Sequence, residues 1–206
     1  MTNDNRSPSE MLNRYQRTNF EIETNIIILR KARGAIEQRA YEYGTAISHR
    51  GDYLALQGVV VVVIQYRLGA FGFLTTGDSA APGNYGMLDQ VAALKWVKGN
   101  INNFGGDPGK VTIFGLSAGG TSVSLHLLSP LSKGLFHQVI RESGVDLSPF
   151  AIQPTSAGLR FASELAENLN RPKSDHSEIM ACIRQKETKE IENALHRILG
   201  LGTCCG

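Results

Sequence analysis

The sequence predicts an α/β fold on a mostly parallel sheet. Two observations carry that expectation. The run Val59-Val60-Val61-Val62-Val63-Ile64 is β-branched throughout and does not alternate with polar residues, the pattern of a strand covered on both faces of a parallel sheet. After it, helical and strand patterns take turns: a helix near Met87–Val97, a strand at Val111–Phe114, a helix near Gly119–Leu128 and a strand beginning at Val139-Ile140. Strands that alternate with helices build parallel sheets.

Along the chain, Met1 to Thr24 is polar and reads as a poorly ordered lead-in. Ile26-Ile27-Ile28-Leu29 is short and apolar and predicts a buried strand. Lys31 to Ala40 carries helix formers, which Tyr43 and Gly44 interrupt. Arg67 to Tyr85 is broken by Gly69, Gly72, Gly77, Pro82 and Gly83, so it predicts a loop. In the next helix Met87, Leu88, Val91, Leu94 and Trp96 or Val97 fall near helical spacing, and Trp96 is assigned to the core. The Gly105–Gly109 turn precedes the Val111 strand, and Pro130 stops the helix after it. Three more helices are expected near Gly158–Leu169, Ser177–Gln185 and Lys189–Leu199, the last as a solvated surface. The expected organisation is a lead-in over 1–25, a partial α/β domain over 26–187, and a helical, irregular tail over 188–206.

Composition narrows the function. The 206 residues hold 21 Lys and Arg against 19 Asp and Glu, a net charge of +2. That gives no basis for nucleic-acid or anionic-surface binding. The longest apolar run falls far short of the roughly 20 residues of a membrane span. Cys182, Cys204 and Cys205 make neither a disulfide framework nor a zinc spacing. Met1–Phe20 shows no signal peptide, and the single sequon Asn5-Arg6-Ser7 carries little without one.

The chemistry sits at Gly115-Leu116-Ser117-Ala118-Gly119, a G-x-S-x-G pattern between the Val111 strand and the next helix. A sharp strand-to-helix turn displays the serine outward. Gly115 and Gly119 are small because the backbone doubles back there. The helix N-terminus aims amides at a negative oxygen, and the Ala118 amide is the candidate oxyanion donor. Serine needs a histidine base and an acid that orients it. The alternative is a glycine-rich turn with an incidental serine. A phosphate loop fits worse, because Val111 follows Gly109-Lys110 where Ser or Thr is needed.

From about Gly51 to Glu187 the chain resembles the type-B carboxylesterase and cholinesterase family, of α/β-hydrolase fold. The segments that carry the resemblance include Gln65-Tyr66-Arg67-Leu68-Gly69, Thr76-Gly77-Asp78, Gly83-Asn84-Tyr85-Gly86-Met87-Leu88-Asp89-Gln90 and Asn103-Phe104-Gly105-Gly106-Asp107-Pro108. Ser117-Ala118-Gly119-Gly120, His126-Leu127-Leu128-Ser129-Pro130 and Gly134-Leu135-Phe136-His137 continue it. Glu142-Ser143-Gly144-Val145 and Cys182-Ile183-Arg184-Gln185-Lys186 look most like the animal carboxylesterases, and the chain looks like part of a full member.

The resemblance implies a serine carboxylic-ester hydrolase for small-molecule esters, with Ser117 as nucleophile and neither a metal nor an organic cofactor. It implies that the Val59–Tyr66 and Val111–Phe114 strands are parallel, adjacent and buried. Ser143 matches a family serine near the triad, which implies a supporting position there. His126 and His137 fall in structural motifs, while His49, His176 and His196 have no motif around them. Arg67 and Asp107 are read as loop anchors bonded to backbone, and Asn84 as holding the turn before the Met87 helix. The family is typically secreted or held in the endoplasmic reticulum lumen, so the compartment stays open.

Four departures bear on activity. The family's His-Gly-Gly-Gly loop, source of the other oxyanion amides, corresponds to Leu29–Ala35, which holds one glycine. Loss of one such donor costs about 2.7–4 kcal/mol of transition-state stabilisation. No segment after Ser117 resembles the family's triad acid or histidine. Leu116 stands where the family usually has Glu. Cys182 matches a disulfide cysteine whose partner would fall near Asn170 or Arg171, so a buried free thiol is expected. Three readings therefore stand: an ester hydrolase that is weak or inactive as this chain, a non-catalytic cholinesterase-like binding or adhesion protein, and an inactive truncated product.

Overall fold

A computed structural model describes residues 25–28 (backbone only), 41, 51–149, 151–170 and 175–198. Four strands form one parallel sheet: β1 (Asn25–Ile28), β2 (Val61–Val63), β3 (Val111–Leu116) and β4 (Gln138–Glu142). Their spatial order is β2-β1-β3-β4. The helices are α1 (Asp52–Ala55), α2 (Gly69–Phe73), α3 (Tyr85–Asn100), α4 (Ala118–Leu128), α5 (Thr155–Asn168), α6 (His176–Arg184) and α7 (Thr188–Ile198).

The two strands expected side by side are not neighbours. β1 lies between them, with Ile27 in register with Val62 on one side and Ile113 on the other. The triple isoleucine is as β-branched as the valine run, so it competes for the centre of the sheet. The lead-in, the Lys31–Ala40 helix, Tyr43 and Gly44 lie outside the described residues.

The two faces of the sheet feed two different clusters. Val111 and Ile113 are fully buried, and Val60, Val62 and Ile64 pack with them under Val91, Leu94 and Val97 of α3 and Val123 of α4. The opposite face is thinner: Val59, Val61, Val63 and Phe114 form a small separate cluster. The valine run is thus buried at its ends, Val59 and Ile64, and only half-buried between them, and the long helices α3 and α4 contribute to only one of its two clusters.

A second core unites α5, α6 and α7. Leu165, Ala166, Ile179, Ile183, Ile191 and Ala194 pack there with Ala70, Leu74 and Ala81 from the α2 segment. The helix expected as a solvated surface therefore buries one stripe, Ile191, Ala194 and Leu195. Arg184 Nη2 donates to the Ala80 carbonyl at 2.9 Å, and His176 Nδ1 meets Asp78 Oδ2 at 2.6 Å. Hydrogen bonds from Thr76 first, then from His176, hold the Asp78 carboxyl down at about 2.

Several local readings change. Trp96 is 48% exposed and packs its ring against Phe104 at 5.7 Å. It sits one residue off the buried Leu94–Val97 stripe of α3. The expected loop after Arg67 contains α2. The Arg67 guanidinium grips Asp89 with two bonds of 2.8 and 2.7 Å and lies over the Tyr85 ring, so a carboxylate holds it rather than backbone. Asp107 does bind backbone, accepting from the Gly109 amide at 2.7 Å. Asn84 precedes α3 in the left-handed region, with φ 57°. Cys182 is a free thiol, half-buried rather than buried.

Candidate active site

β3 ends at Leu116 and α4 starts at Ala118, so Ser117 alone makes the turn. Its backbone has φ 59° and ψ −118°, a conformation that costs a non-glycine residue about 1–3 kcal/mol. Three features surround it, the first of them a contact with another strand. The Ser117 amide donates to the Glu142 carbonyl at 2.7 Å, at the end of β4. The Ser117 carbonyl accepts from the Thr121 amide at 3.0 Å. A Cβ on Gly115 would lie 2.3–2.7 Å from backbone atoms of Gly119, which is why G-x-S-x-G needs its first glycine.

Ala118 is fully buried and Ser117 half-buried. The first amides of a helix have no acceptor within the helix and carry its positive end. The turn therefore presents a hydroxyl beside donors suited to a developing negative oxygen. Leu116, half-buried, lies in register with Glu142 on the neighbouring strand.

Ser143 also has positive φ, 50°, and follows β4 directly. It is exposed, between Glu142, which takes the Ser117 amide, and Gly144. A Cβ on Gly144 would lie 2.0 Å from the Ser117 carbonyl oxygen. Within the Glu142-Ser143-Gly144-Val145 segment the sequence marks no role for Gly144; its signal is a glycine directly after a strand that ends beside the serine turn. The next residues are tied to α4: Ser124 donates to Asp146 at 2.5 Å and accepts from Arg141 at 2.9 Å.

The histidines have other partners. His126 is 2% exposed, with Nδ1 2.7 Å from Ser132 Oγ and Nε2 2.9 Å from Gln90 Oε1. Burial pushes its imidazole down to about 4. His137 Nδ1 accepts the Val111 amide at 3.2 Å, and His176 pairs with Asp78. His196 lies on α7; His49 and the Leu29–Ala35 segment lie outside the described residues. Among the described residues no group of three or more His, Cys, Asp or Glu could hold a metal ion. Among them, too, no helix is long and apolar enough to cross a membrane.

A family model described as the carboxylesterase family matches residues 35–203. The chain is 50% identical over 164 residues to pyrethroid hydrolase Ces2e of Rattus norvegicus, covering 77% of this chain and 28% of that protein. It is 53% identical over 150 residues to the cocaine esterase of Oryctolagus cuniculus, covering 72% and 28%. To the acylcarnitine hydrolase of Rattus norvegicus it is 51% identical over 149 residues, covering 72% and 26%. Among solved structures, juvenile hormone esterase from Manduca sexta, with OTFP covalently attached, superposes with a TM-score of 0.78 at 28% identity, over 87% of this chain and 33% of that one. The fold is thus that of an α/β-hydrolase in part, and the chain spans about a quarter of the length of these curated relatives.

Proposed function

This chain belongs to the carboxylesterase family, and from that premise we propose that it carries the nucleophile-bearing part of a serine carboxylic-ester hydrolase. The observation that carries the proposal is the strained single-residue turn at Ser117 between β3 and α4. Strain of this kind persists where a side chain must be displayed. Ser117 Oγ attacks the ester carbonyl carbon, and its proton passes to a base. The carbonyl oxygen becomes an oxyanion that the Ala118 amide faces. The C–O bond then breaks and the alcohol leaves with a proton. Water attacks the acyl-enzyme, releasing the acid and restoring the hydroxyl. Gly115 and Gly119 allow the turn, and Ser143 supports it from the end of β4. The chemistry calls for no metal or organic cofactor. Relatives named for pyrethroid, cocaine and acylcarnitine hydrolysis suggest small organic esters as the substrate class.

Three of the histidines are engaged away from Ser117, so we infer that the 206-residue chain by itself turns over aryl esters little or not at all. Serine hydrolases stripped of triad members keep an acceleration of about 10³–10⁴ over water from binding and the oxyanion hole. A non-catalytic binding role is the second reading, and Leu116 in place of a carboxylate favours it.

A fluorophosphonate probe separates the readings. The hydrolase reading expects slow phosphonylation confined to Ser117 and lost in Ser117→Ala. Labelling no faster at Ser117 than at surface serines would favour the binding role. Rapid stoichiometric labelling with aryl acetate turnover would overturn the inference of inactivity and make His126 and His137 the first residues to mutate.

A further inference from the structure

His126 is a buried titratable group with no part in the ester chemistry. It stands in a line of buried polar groups: Ser132, His126, Gln90 and Ser122 are each 2% exposed or less. Gln90 Nε2 donates to Ser122 Oγ at 3.4 Å. Ser122 Oγ lies 3.2 Å from the Tyr41 hydroxyl, which donates to the Ala118 carbonyl at 3.1 Å. Ala118, Ser122 and His126 are spaced four apart on α4, so they share one stripe.

The bonds run in a single sense. A carbonyl only accepts, so the Tyr41 proton goes to Ala118. Ser122 must then donate to Tyr41, and it accepts from Gln90. Gln90 Oε1 also only accepts, so His126 Nε2 carries the proton and Nδ1 accepts from Ser132. Reversing the His126 tautomer would set Nε2 against Gln90 Oε1, acceptor facing acceptor, at a cost of about 1–3 kcal/mol. The line ends on the residue next to Ser117.

We propose that His126 is a positioning residue for the Ser117 turn: through Gln90, Ser122 and Tyr41, its neutral imidazole holds the Ala118 carbonyl and so the first turn of α4. The proposal rests on Ser117 being the nucleophile and Ala118 its oxyanion donor. The uncharged state fits burial, which disfavours the imidazolium. The tautomer follows from the bond directions alone, so the Ala118 amide and the Ser117 rate are what separate a positioning role from mere satisfaction of buried groups.

The test uses the full chain. Nitrogen-15 NMR assigns the His126 proton and reports the Ala118 amide, and phosphonylation of Ser117 gives a rate. Tyr41→Phe removes the last donor while keeping the ring that packs on Phe73 at 4.8 Å. Gln90→Glu keeps the shape but turns the Ser122 donor around. Ile191→Val, in the separate helical core, is the control for general destabilisation. The expected result is a proton on Nε2, a shifted Ala118 amide in both network variants, and phosphonylation slowed about 10- to 100-fold in them but not in the control. A proton on Nδ1, or an unmoved Ala118 amide in both variants, overturns the proposal; the first of these needs no variant to fold. If wild-type Ser117 takes no label, the nucleophile reading fails, and the tautomer and the Ala118 amide still decide the network.

Discussion

The backbone amide of Ser117 donates to the carbonyl oxygen of Glu142 at 2.7 Å. Two consequences follow. The positive φ of Ser117 is held by the neighbouring strand and not by the turn alone, so the displayed hydroxyl depends on β4 being docked. The Ser117 amide is also occupied, which leaves the next amide, that of Ala118, to face an oxyanion on the proposed chemistry.

Gly144→Ala should be severe. Its new Cβ would fall 2.0 Å from the Ser117 carbonyl oxygen and 3.0 Å from the Thr121 amide nitrogen. Both are backbone atoms, so no side chain can swing away. The expected loss is about 3 kcal/mol or more, together with loss of Ser117 labelling. Gly99→Ala is the counterpart: nothing lies within 4 Å of a Cβ there, inside α3. In the last turn of α3 it should stabilise by up to about 1 kcal/mol through helix propensity. Denaturant titration of both variants measures the two opposite signs.

Ser117→Gly should separate stability from chemistry. Glycine adopts positive φ freely, so the strain stored at φ 59° is released. A gain of about 1 kcal/mol is expected, with phosphonylation abolished. Ser117→Ala removes the hydroxyl and keeps the strain, so it should label no better and gain no stability. Equal stability of the two variants would show that the turn is unstrained.

The longer strands and helices were legible because period and punctuation are local properties, whereas the short α1 and α2 were not. Val111–Leu116 and Ala118–Leu128 follow from β-branched residues, a glycine-flanked serine and Pro130. Strand order was not legible. Nothing in Ile26-Ile27-Ile28 or Val61-Val62-Val63 states which lies beside Val111, since both are equally apolar, and sheet position is a tertiary choice. The site divides the same way. Ser117, Ala118, Gly115 and Gly119 were visible as one short motif, whereas Gly144 and the Tyr41–Ser122–Gln90–His126 line join residues far apart in sequence. Only folding sets their contacts.

Trp96 tests the corrected core. It is the chain's single tryptophan and is 48% exposed, while Leu94, two residues earlier, is fully buried. Iodide should quench its emission readily in the folded chain. Leu94→Ala should cost about 2–5 kcal/mol, and Trp96→Ala much less, chiefly the Phe104 contact of about 0.5–1.5 kcal/mol. Emission shielded from iodide would return Trp96 to the core.

Stability should fall in mildly acidic solution through His126. Burial lowers its folded-state pKa to about 4, while an unfolded histidine titrates near 6.5. Above 6.5 both states are neutral and the group contributes no slope. Between the two values the unfolded chain binds a proton that the folded chain refuses, so stability drops as pH falls. Each pH unit there costs up to about 1.4 kcal/mol, or on the order of 3 kcal/mol by pH 4. Below that the folded state takes the proton too, and the slope ends. Carboxylates titrating in the same range add their own slope, so the diagnostic quantity is a difference. His126→Asn should be less stable at pH 7, because Gln90 and Ser132 lose a partner, but should lose less than the wild type between pH 6.5 and 4.5. Parallel denaturant curves at pH 7, 6, 5 and 4.5 measure that difference. Identical slopes in the two proteins would show that burial does not lower the folded-state titration of His126.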